Sequence, residues 1–120
     1  MKKPINIISK FELFSEHWSP KVIAEMNDYQ FKVVKIEGEF TWHEHKDTDE
    51  MFISIEGSMG IKFKDRTVEL NDGEMIVIQK TEQHKTFAIE ECKVLIIEPR
   101  GVVNTGSSGG DLTAENDVWI

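Results

Sequence analysis

Two histidines separated by one residue, His43 and His45, stand shortly before a glutamate, Glu50, and a third histidine of the same region follows at His84. Residues i and i+2 of a strand point to one face, so His43 and His45 present two imidazoles side by side, near enough to share an ion, while Glu44 points away. The polar run Lys46-Asp47-Thr48-Asp49 favours a turn, which lets the next strand fold back and set Glu50 opposite the pair. His84 then closes the site from a later strand. Imidazoles with one carboxylate suit a divalent transition metal (iron, manganese, cobalt, nickel or zinc) better than calcium, which prefers an all-oxygen shell. One such ion per chain, held by four protein groups, keeps a position open for water, dioxygen or an oxygen-bearing substrate, as a catalytic metal requires. Glu50 has a second use there, because a carboxylate that slips off the metal becomes a base. The plain alternative is a metal-free barrel whose histidines serve polar packing.

The elements that must position these residues are short and mostly extended. The apolar residues Ile7, Ile8, Phe11 and Phe14 predict a short amphipathic helix or turn within 6–14. Pro20 then breaks the chain. From Lys21 onward, segments of period about two alternate with turn chemistry, the rhythm of an all-β sandwich or barrel. The expected strands are 22–26, 31–37, 40–45, 50–56, 60–64, 67–70, 75–79, 84–89 and 93–98. If Glu50 faces inward, so do Phe52 and Ser54, and Met51, Ile53 and Ile55 face out. An apolar outer face needs a cover, either the Ile7–Phe14 segment or a second protomer, and a homodimer is expected. Met59, Ile61 and Phe63 can form an apolar inner wall, and alternation from His84 sets Thr86 and Ala88 inward. Four of the eight glycines crowd into 100–110, which reads as an irregular loop and a candidate lid. Val118-Trp119-Ile120 is too apolar for a free tail and should dock on the body or a partner. The organisation is thus an N-terminal segment, 1–20, packing on the barrel or on a partner, a barrel of 21–100, and a glycine-rich loop and docked C-terminal segment, 101–120. No tag-like stretch follows Met1, which suggests a complete native chain.

Composition narrows the classes of function. The 120 residues carry a net charge of −8, from 22 acidic against 14 basic side chains. Acids outnumber bases in both halves, so no basic lobe offers a nucleic-acid surface. The longest apolar run, Val94 to Ile97, is far short of the roughly 20 residues that span a bilayer. The single cysteine, Cys92, cannot form an intramolecular disulfide and reads as a small core residue; a cytoplasmic protein is expected. Arg100 reads as half of a surface ion pair and His17 as a surface or turn histidine.

The run Gly38, His43-x-His45-x4-Glu50-x6-Gly57 resembles the first motif of the cupin superfamily, and Gly73-x10-His84 sits where the second would fall. Four residues rather than five separate Gly38 from His43. In the second motif Gln79 stands for the usual proline, Thr81 for the glycine and Ala88 for the asparagine. The resemblance covers about 33–89 and implies a small antiparallel jelly-roll barrel with a metal held by His43, His45, Glu50 and His84. It implies a metal-dependent enzyme acting on a small oxygen-bearing molecule, either by dioxygen insertion or by isomerisation of a sugar or keto-acid. A small-molecule-binding or sensing module without turnover is the alternative.

Overall fold

In the computed structural model, residues 3–120 are described; Met1 and Lys2, at the start of the expected N-terminal segment, lie outside the described residues. The chain forms one short helix, α1 (Ile7–Phe11), then β1 (Lys21–Met26), β2 (Tyr29–Glu39), β3 (Glu50–Glu56), β4 (Met59–Phe63), β5 (Thr67–Leu70), β6 (Met75–Ile78) and β7 (His84–Pro99). Every strand pairing is antiparallel, in the order β1-β2-β7-β3-β6, with β4 joined to β7 and β5 to β4. The fold is the expected all-β jelly-roll barrel with a short N-terminal helix.

Alternation explains most of it. On β3, Glu50, Phe52 and Ser54 are buried and their neighbours partly so. They join Val34, Ile36, Met59, Ile61, Phe63, Ala88, Cys92, Val94 and Ile96 inside the barrel. Outside lies a second cluster in which Phe11 and Phe14 cover Ile23, Val33 and Leu95, with Ile53 and Ile55 packed against them. Of the two covers offered for this face, the N-terminal segment is present. Asn6 caps α1 by accepting a hydrogen bond from the Ser9 N–H at 3.1 Å. The helix ends at Phe11, short of Phe14, in a tightened last turn where Glu12 N–H donates to Ser9 O at 3.1 Å and Leu13 N–H to Lys10 O at 3.2 Å.

Two expected strands, 84–89 and 93–98, are one. β7 runs on through Ile89, Glu90 and Glu91, which are exposed where the strand bends between the half held by β4 and the half held by β3. Ile36 faces Cys92 but Gly38 faces Ala88, so two extra residues of β7 bulge at the bend. β3 grips the strand after the bend, Met51 to Glu56 against Ile97 to Lys93, and β4 before it, Gly60 to Phe63 against Phe87 to His84.

The C-terminal residues add to the β1 edge: Val22 N–H donates to Val118 O at 2.7 Å and Ile120 N–H to Val22 O at 3.1 Å. Lys10 Nζ donates to Ile120 O at 3.1 Å. No helix among the described residues is long and apolar enough to cross a membrane.

Candidate metal centre

The segment Phe40–His45, expected as a strand, is not one. Glu39 faces Phe87 and His43 faces His84, so four steps along one chain answer three along the other and the ladder breaks. What remains is an isolated bridge: His43 N–H donates to His84 O at 3.0 Å and His84 N–H to His43 O at 2.9 Å. His45 O accepts from Thr81 N–H at 2.7 Å, which clamps the histidine pair to the 79–83 turn. Thr81, which stands where the resemblance sets a glycine, has φ +69°. The turn thus keeps its left-handed backbone with a β-branched residue, at a cost of about 1–3 kcal/mol.

These elements bring His43, His45, Glu50 and His84 together. All four are buried, and one donor atom from each lies within 4.8 Å of the others. His43 Nδ1 donates to Thr41 O at 2.9 Å and His84 Nδ1 to Glu82 O at 2.8 Å. Backbone carbonyls so fix both tautomers and leave Nε2 directed at the cluster. His84 Nε2 is 3.0 Å from Glu50 Oε1. Both nitrogens of His84 face acceptors, an arrangement that an imidazolium satisfies with two N–H groups and that a cation seated between Nε2 and the carboxylate satisfies with one. His45 Nε2 lies 3.2 Å from the same oxygen and is buried with no hydrogen-bond partner. Donors sharing an ion at about 2.0–2.2 Å stand roughly 3 to 4.4 Å apart, so a small contraction would let these four close on one. The residues present fit a divalent transition metal.

Electrostatics agree with the geometry. Burial, then the neighbouring His84, pushes His43 down to about 4. Burial also works against a charged His45, but the facing Glu50 carboxylate wins and raises it. For Glu50 burial opposes ionisation, and the His45 and His84 imidazoles overcome it and hold the carboxyl well below its usual range.

One residue of the site escaped the reading of the sequence. Glu98, 4 % exposed, comes from β7 into the same interior, where burial and then the nearby Glu50 push its carboxyl up to about 8 against the pull of Lys32. Lys32 Nζ is 3.1 Å from Glu98 Oε2 and donates also to Val102 O at 3.3 Å. The signal was present: Glu98 is in phase with the inward Val94 and Ile96, and Lys32 with Val34.

His43, Glu50 and Glu98 open on a cavity of about 40 Å³ walled by Phe40, Phe52, Met59, Val94 and Ile96, with Thr86 among the polar groups and Trp18 and Asn104 at one end. Trp18 stacks on Phe40 at 4.7 Å between ring centres, and Phe40 meets His43 edge-on. Thr86 thus lines the cavity as alternation predicts. The 101–114 segment is strapped over this end: Asn104 Nδ2 donates to Trp18 O and Leu112 O, and Asn104 Oδ1 accepts from Ala114 N–H. Ser108 Oγ donates to Trp42 O at 2.9 Å, and a β-carbon on Gly106 would stand 2.1 Å from Glu44 O. Arg100 pairs with Glu25 at 2.9 Å, away from the cavity, and His17 binds Glu91 at 2.8 Å on the surface. Cys92 is fully buried in the core.

The family model described as Cupin domain matches residues 31–98. The uncharacterized protein YdbB of Bacillus subtilis (strain 168) is 34% identical over 99 residues, covering 82% of this chain and 88% of its own length. A crystal structure of a cupin-2 domain containing protein from Shewanella frigidimarina NCIMB 400 superposes with a TM-score of 0.79 at 64% identity, over 80% of this chain and 94% of that one. The structure of protein NMB1881 from Neisseria meningitidis follows at 0.75 and 28% identity, over 81% and 99% of the two chains.

Proposed function

The chain belongs to the cupin-domain family, and from that membership we propose that it binds one divalent transition metal through His43, His45, Glu50 and His84 and acts as a metal-dependent enzyme on a small oxygen-bearing molecule. The observation that carries this reading is the buried, unpartnered His45 Nε2 facing Glu50 in a cluster of four convergent donors. Such an ion, when bound, supplies Lewis acidity and a template for the substrate. The protein's own part is separate. The Thr41 and Glu82 carbonyls orient His43 and His84, the apolar wall excludes water, and Glu50 serves as both ligand and proton acceptor.

Metal analysis of protein purified without chelator tests the first half. About one equivalent of a transition metal is expected in the wild type, falling sharply in His45→Ala. A wild type that stays metal-free after reconstitution refutes the proposal. Turnover tests the second half: a binding module would shift its melting temperature with ligand and leave the ligand unchanged.

A homodimer belongs to the same reading. On the outer face Met51 pairs across strands with Ile97 and Val77, and Ile53 with Met75. Met75 and Val77 are both more than half exposed on the edge strand β6, where the N-terminal segment does not reach. Light scattering coupled to size exclusion should give twice the chain mass, and Val77→Lys should halve it; one chain mass for the wild type at micromolar concentration refutes the dimer.

A further inference from the structure

We propose that Trp18 sets the size of molecule admitted to the cavity beside the four-residue cluster: it forms the fixed side of the mouth and keeps out molecules as large as a six-membered ring. This makes Trp18 a specificity-determining residue of the site described above and rests on that reading for its part in catalysis. A limit on size itself holds with or without an ion in the cluster.

Burial shows where the mouth lies. Strands β2, β3, β4 and β7 wall the cavity, and among the described residues that line it only Trp18, Pro20 and Asn104 are not buried. A molecule coming from solvent therefore reaches His43 and Thr86 by passing between these three.

The two sides of the mouth are held differently. Trp18 is tied to β2 at both ends of the residue: its N–H donates to Lys35 O at 2.9 Å and its indole Nε1–H to Glu37 O at 3.1 Å, while the ring stacks on Phe40. Its backbone is left-handed, φ +62°, a conformation costly for a residue with a β-carbon and kept here by those ties. Trp18 thus moves only with β2, a strand paired along its length on both edges. The other side is Asn104, whose side chain hangs on backbone groups of Trp18, Leu112 and Ala114. That side belongs to the strap, which can open without unfolding the barrel. The strap therefore governs entry, and the indole governs the width of what then fits.

A cavity of about 40 Å³ has room for roughly three waters, whereas a cavity of about 150 Å³ is what takes benzene. Removing the indole adds its space at the mouth and leaves Phe40 and the apolar walls to receive a ring.

Cyclohexanone is uncharged, carries one oxygen and has a six-membered ring. Its dissociation constant, read from the NMR shifts of Thr86, Val94 and Ile96, is to be measured on metal-free protein and again with zinc added. Trp18→Ala should bind it at least about tenfold more tightly than the wild type in both series. Trp18→Phe, which keeps a smaller ring on Phe40, should fall between the two. Phe11→Ala truncates the outer cluster and loosens the fold without touching the mouth, so it should bind like the wild type. The proposal is overturned if the wild type or Phe11→Ala binds cyclohexanone as tightly as Trp18→Ala, or if Trp18→Ala shows no saturable shifts at the three cavity residues. Should Trp18→Ala not fold, Trp18→Phe binding no more tightly than the wild type overturns it. Failure of the metal analysis leaves the metal-free titration standing, and failure here leaves the metal assignment standing.

Discussion

Gly106 is where the strap over the barrel mouth meets the segment that carries the histidine pair, and replacing it with alanine separates two costs. Gly106 and Gly109 both have left-handed backbones, φ +58° and +66°. A β-carbon at Gly109 meets nothing within 4 Å, so Gly109→Ala carries the conformational cost alone, about 1–2 kcal/mol. At Gly106 the same carbon would stand 2.1 Å from Glu44 O and 3.3 Å from His45 Nδ1. Backbone atoms cannot yield that much, so the strap must lift. It then loses the Ser108 Oγ bond to Trp42 O and the longer one from Ser107 N–H to Glu44 O, each contributing about 1 kcal/mol. Gly106→Ala should therefore cost the docked strap about 3–4 kcal/mol in all, felt locally because the strap can open without unfolding the barrel. Hydrogen exchange read by mass spectrometry should show residues 101–114 losing protection by about two to three orders of magnitude in Gly106→Ala, and by about one in Gly109→Ala. The strands should stay unchanged in both. Equal loss in the two variants would refute the docking argument and leave only backbone strain.

Other outcomes follow from the same geometry. Chelation of a metal present at a hundredfold excess over its Kd should remove about 2.7 kcal/mol of stability, read as a fall in melting temperature that re-addition reverses; no change on chelation would sink the metal assignment. Protons compete with metal for His45, whose metal-free pKa is raised above 6.5, so metal affinity should fall as pH drops through that raised value, while His43, held near 4, stays neutral above it. The metal-free protein has the opposite sign. The His45–Glu50 attraction is fully present below 6.5 and lost as pH rises through the raised value, so denaturant midpoints should decline there, and His45→Gln should flatten the decline. Phe11→Ala removes a fully buried ring from the outer cluster and should cost about 3–5 kcal/mol by urea denaturation; a loss under 1 kcal/mol would mean that α1 does not cover this face.

Much of the site was legible in the residues because strand alternation is local. The bounds of β3 match the expected 50–56, and the inward set Glu50, Phe52 and Ser54 follows from period two alone. His84, Thr86 and Ala88 follow in the same way. What alternation could not supply was pairing. Nothing between Phe40 and His45 says that the partner strand offers one residue too few, so a bridge looked like a strand. Glu90 and Glu91 read as a break because glutamate is depleted in strands, and the continuity of β7 comes from β2 pairing with it on both sides of them. Glu98 was passed over for its charge although its phase marked it as interior; a buried carboxylate is reasonable once Lys32 is known to lie beside it, and that contact joins distant parts of the chain.

The bend in β7 has a bearing on how this chain can change length. His84, Thr86 and Ala88 before the bend, and Cys92, Val94, Ile96 and Glu98 after it, are all even-numbered and all buried. The bulge keeps that parity because it holds two surplus residues. Deleting one residue among Ile89, Glu90 and Glu91 would turn one half of the strand inside out, exposing either His84 and its cavity neighbours or Glu98 and the core valine and isoleucine. Deleting two would straighten the strand and leave both faces in register. Length at this solvent-exposed corner is thus free to vary only in pairs, a restriction imposed by a site that none of the three residues touches.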